Sequence, residues 1–80
     1  MLLVDTTYTQ RINMQFEKFE YIDNNIRLVI EEDLVGYYLY VYRNPKVEAA
    51  DQDYLLDDLE MAKDEAYERF GIDKQKWKKI

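Results

Sequence analysis

Between residues 51 and 72 the apolar positions Leu55, Leu59, Ala62, Ala66 and Phe70 recur at steps of four, three, four and four. That spacing lays side chains along one side of an α-helix. Asp57, Asp58, Glu60, Asp64, Glu65 and Glu68 fill most of the remaining positions and keep the far side in water. The pattern predicts one amphipathic helix. Asp51 or Asp53 would cap its first turn, because a short side-chain oxygen there accepts from N–H groups without a helical partner. Gly71 would end it, since glycine takes a left-handed backbone without a Cβ penalty.

Upstream the period changes to two. Ile26, Leu28 and Ile30 alternate with Arg27, Val29 and Glu31, and Tyr37, Leu39 and Val41 alternate with Tyr38, Tyr40 and Tyr42. Both runs predict strands. Asp23-Asn24-Asn25 supplies a turn before the first, residues 31 to 36 an acidic loop between the two, and Asn44-Pro45 ends the second, proline having no N–H to donate. From Arg11 the apolar phase runs Ile12, Met14, Phe16 and then shifts to Phe19 and Tyr21. A shift of phase predicts a bulge or two buried faces. Ile12, Phe16 and Phe19 also fit helical spacing, but the aromatic content and the neighbouring strands favour a strand. Leu2, Val4 and Tyr8 could add an edge strand or a flap, and Asp73 can cap a last helical turn that brings Trp77 back to the core.

These elements assemble most economically as one α+β domain over residues 1 to 80. It is an antiparallel meander of three strands, four if the N-terminus joins, with a C-terminal helix on one face and a short helical turn after it. Ile26, Leu28, Ile30, Leu39 and Val41 would meet the helix. Phe19, Tyr21, Val29, Tyr38, Tyr40 and Tyr42 would then lie on the opposite face, which one helix cannot cover. An open aromatic surface on so small a chain points to a contact, and tyrosine suits one because its ring buries area while its hydroxyl stays hydrogen-bonded.

Composition narrows the functional classes. An 80-residue chain buries only about 60 to 65% of its unfolded surface, and without cysteine its core rests on aliphatic and aromatic packing or on a partner subunit. The formal charge is −6, which opposes nucleic acid and favours basic partners. No apolar run approaches the length of a membrane span, and Met1-Leu2-Leu3-Val4 meets Asp5 too soon for a signal peptide, so a cytoplasmic protein is expected.

There is no histidine, cysteine or serine, which removes the usual nucleophile and base pairs of hydrolases from this chain. Glu31, Glu32 and Asp33 could act as a proton-transferring carboxylate pair, but a solvated turn accounts for them more simply. Asp51, Asp53, Asp57 and Asp58 invite a calcium loop, and Leu55 and Leu56 break it where a ligand and a glycine are needed. Lys74, Lys76, Lys78 and Lys79 around Trp77 could meet a nucleic-acid strand; with no wider basic face, charge at a helix end is the better reading. No enzyme activity, cofactor, metal, nucleic acid or membrane is therefore expected.

The run GYYLYVYR followed by DYLLDDLEMAKDEAYERFGIDKQKW resembles a pattern in small, mostly uncharacterised bacterial α+β proteins. These join a Gly-Tyr-Tyr strand to an acidic helix with an alanine pair, then Phe-Gly-Ile and a tryptophan. Some are immunity-like or accessory proteins, so the resemblance implies binding rather than catalysis; no site residue carries over from it. The sequence thus predicts a protein-interaction module, homodimeric through Phe19, Tyr21, Tyr38, Tyr40 and Tyr42. Asp57, Asp58, Asp64 and Glu65 would steer a basic partner, as an immunity or antitoxin-like inhibitor requires. A small-molecule or peptide platform on the aromatic face is the alternative.

Overall fold

The computed structural model describes residues 16 to 80. Its strands are β1 (Lys18–Ile22), β2 (Arg27–Asp33), β3 (Gly36–Tyr42), β4 (Gln52–Leu56) and β5 (Lys78–Lys79), with helix α1 (Leu59–Phe70) and a short 3-10 helix (Lys74–Lys76) before β5. They form one sheet in the order β4-β3-β2-β1-β5, every neighbouring pair antiparallel. The class is α+β, as expected. The first four strands follow one another as a meander, and β5 returns to the far edge beside β1. The possible strand or flap at residues 1 to 10 lies outside the described residues, as do Ile12 and Met14.

One sequence expectation fails at the start of the helix. Residues 52 to 56 are strand, and the helix begins only at Leu59, capped by Asp58, whose Oδ1 accepts from the Met61 N–H at 2.8 Å. Neither Asp51 nor Asp53 caps it. Tyr54 and Leu56 pack with the core while Leu55 between them is exposed, which is alternation of period two. Leu55 matches the helical stripe only by coincidence of spacing, and the adjacent Asp57-Asp58 pair is where the period changes. The other end is as predicted. Gly71 takes φ 72° and ψ 22° and donates to the Tyr67 carbonyl at 2.9 Å.

Leu28, Ile30, Leu39 and Val41 are fully buried beneath Ala62 and Ala66 of α1, and Ile72 closes the core after the Gly71 turn. Two alanines on the inner stripe leave no bulk between helix and sheet, so backbone and β-strand side chains approach closely. Trp77 packs on this core, as expected; its indole N–H is buried without a hydrogen-bond partner among the described residues. The β2–β3 connection is tighter than expected. Asp33 pairs with Gly36, so the turn is Leu34-Val35 alone and Glu31 to Asp33 belong to the strand. Gly36 has φ 151°, and a Cβ there would stand 2.4 Å from the Leu56 carbonyl oxygen. Glycine is required by both the backbone angle and the neighbouring strand.

Candidate interaction surface

Strict alternation in GYYLYVY divides β3 between two environments. Tyr37, Leu39 and Val41 face α1, and Tyr38, Tyr40 and Tyr42 face away from it. Residues opposite one another in an antiparallel ladder share a face, so the register defines the open surface. Tyr38 stands between Glu31 and Leu55, Tyr40 between Val29 and Asp53, and Tyr42 beside Arg27. Lys18 continues the first row beyond Glu31, and Glu20 followed by Lys78 continues the second beyond Val29.

Phe19 and Tyr21 do not belong to this surface. They pair with Ile30 and Leu28, and both pack against the core on the helix side. The sequence places them on the open face with Val29 and the outward tyrosines; β1 instead matches its inward residues to those of β2. The Lys63 ammonium lies 5.6 Å from the Phe19 ring centre, and the Tyr21 hydroxyl donates to Asp23 at 2.8 Å. That bond and the nearby carboxylate raise the Tyr21 pKa, and the same contact, after the Asn25 N–H, helps lower that of Asp23.

The tyrosines form a row with internal order. Tyr38 and Tyr40 stack with ring centres 5.7 Å apart and planes 19° from parallel. The Arg27 guanidinium lies 4.6 Å from the Tyr42 ring centre and binds Glu20 at 2.7 Å, a cation placed where the ring's negative face attracts it. Val29, in the middle of this open side, is only 3% exposed. Its neighbours across the ladder are Tyr40 and Glu20. Burial, then the charges of Glu31, Tyr38, Asp53 and Asp33, pushes the Tyr40 phenol up, so it stays neutral and able to donate.

The predicted acidic residues are dispersed. Asp57 precedes the helix and Asp58 caps it, while Asp64 is paired with Lys74 and Glu65 with Arg69. The hairpin carboxylates do not converge either. Glu31 shares the open face with Asp33, whereas Glu32 lies on the other side and accepts from the Glu17 N–H at 2.9 Å. Residues missed from sequence are Leu34, Val35 and Leu55, which are 78%, 67% and 51% exposed. An apolar pair in a hairpin turn, where Asn and Gly are the usual choice, was the available signal for the first two.

No family model, curated protein or solved structure matches this chain. Among the described residues no helix is long and apolar enough to cross a membrane.

Proposed function

We propose that this chain is a non-enzymatic interaction protein that self-associates through the open side of its sheet, with Tyr38, Tyr40 and Tyr42 at the centre of the contact. The observation that carries this reading is the stacked tyrosine row beside a buried Val29 on a face that α1 leaves open. Charge favours a second copy there. Lys18, Arg27 and Lys78 stand against Glu20, Glu31, Asp33 and Asp53 on this face, close to balance, while the chain as a whole carries −6. Two copies meeting face to face therefore bring together surfaces with little mutual repulsion. Tyrosine loses little side-chain entropy for the area it buries, which is why it recurs at contact centres.

The remaining negative charge suits a basic partner and accords with the immunity-like role that the resemblance implies. Sedimentation equilibrium tests the dimer. A concentration-dependent dimer is expected, with Tyr40→Glu shifting it to monomer by about tenfold or more in dissociation constant, the scale of a central contact residue. A monomer at all concentrations would remove the self-association reading.

A further inference from the structure

β4 ends the sheet, and among the described residues nothing pairs with its outer edge. An open edge offers a row of N–H and C=O groups to any extended chain, and proteins commonly block it with proline, lysine or a bulge. Gln52–Leu56 has none of these. What it has is negative charge. Asp51 accepts from the Arg43 N–H and Asp58 caps α1, but Asp53 and Asp57 make no hydrogen bond or ion pair with any described residue. Beside Asp53 the exposed Leu55 stands opposite Tyr38 in the ladder, and Leu55 Cδ1 lies near Gly36, the residue that follows the exposed apolar turn of Leu34 and Val35.

We propose that β4 takes an added strand from a basic, extended segment of another protein, with a lysine or arginine beside Asp53 and an apolar side chain two residues away against Leu55. The main-chain ladder would supply affinity and the two side-chain positions selectivity. Charge selects this occupant over a second copy, because pairing two β4 edges would bring the Asp51, Asp53 and Asp57 groups of both chains together. The inference rests on reading the chain as a binding protein and not on the dimer. The ladder groups lie in the plane of the sheet, whereas Asp53 and Leu55 share the face of Tyr40 and Tyr38, so the two contacts meet at these side chains and the test separates them.

The test uses the capped decapeptide Thr-Lys-Thr-Val-Thr-Lys-Thr-Val-Thr-Lys, in which lysine and valine alternate along one face of an extended strand, titrated into isotope-labelled protein and followed by amide shifts and amide exchange. Shifts and slowed exchange centred on residues 52 to 56 are expected. The double variant D53N/D57N should weaken binding about tenfold, and a peptide N-methylated at alternate backbone nitrogens should bind at least about tenfold more weakly, having the charge without the ladder. Equal binding of the two peptides, shifts confined to α1 or the tyrosine row, or no binding would overturn the proposal. So would protection of β4 by dilution-sensitive contact with unlabelled protein, which would make a second copy the occupant. Repeating the titration on Tyr40→Glu separates the two readings: peptide binding persists there whether or not the wild-type chain is a dimer.

Discussion

The two sides of this sheet are built from the same strands and reach burial by different means. On the helix side Leu28, Ile30, Leu39 and Val41 are fully buried beneath Ala62 and Ala66 of the helix, with Ile72 and Trp77 completing the cover. On the open side Val29 is the only buried residue among those described, set between Tyr40 and Glu20 in the ladder. The first arrangement is dry packing that holds the fold together. The second uses amphipathic side chains, apolar along their length and polar at the tip, to screen a small apolar centre while keeping the surface wettable. A sheet so arranged can fold without a partner and still offer an aromatic surface.

Adjacent residues on β3 give the sharpest way to break this comparison. Leu39→Ala removes a fully buried side chain from the covered side and should cost about 2 to 5 kcal/mol. Tyr40→Ala, one residue along and on the other face, should cost no more than about 1 kcal/mol in the monomer, the scale of a cross-strand aromatic pair. Urea unfolding at low protein concentration measures both. Equal losses would mean that the open side is a second core, and its role as a contact surface would fall with that result.

That partition was legible in the sequence for β2 and β3, where period-two alternation assigns each residue to a face without further information. It failed at β1, where Phe19 and Tyr21 are expected on the open face while their partners Ile30 and Leu28 face the helix, because the face of a strand follows from its register with its neighbour. At β4 a short apolar run, Tyr54-Leu55-Leu56, is compatible with either period, and the following helix captured it. β5 is two lysines, held by pairing to Phe19 and Glu20, and no local pattern announces it. Of the candidate surface, Tyr38, Tyr40 and Tyr42 were readable from alternation; the β4 edge was not, since an edge exists only once the strand order does.

The helix start offers a smaller, sharper contrast. Asp58 holds the Met61 N–H and its backbone begins the helix, whereas Asp57 makes no such bond. Asp58→Ala should cost about 1 kcal/mol, the usual loss of a capping side chain, and Asp57→Ala no more than about 0.5 kcal/mol. Thermal or urea unfolding of the two variants distinguishes them. The reverse order would move the start of the lid that defines the covered side.

The smallest effect separates the faces by titration. Burial raises the pKa of Tyr37 on the covered side, helped by Glu32, Glu17 and Asp58, and raises that of Tyr40 on the open side, helped by Glu31 and its neighbours. A phenol whose proton is held more tightly in the folded than in the unfolded chain leaves stability unchanged below the unfolded value near 10, and stability is lost as pH climbs through the higher folded value. Both tyrosines should therefore contribute to alkaline unfolding, and Tyr37→Phe or Tyr40→Phe should each blunt it. Only Tyr40 lies in the proposed dimer contact. Raising the protein concentration should push its ionisation, followed by phenolate absorbance against the Tyr40→Phe variant, further up while leaving that of Tyr37 fixed. If both phenols titrate identically at every concentration, neither side of the sheet gains cover on association, and the open row remains exposed to water.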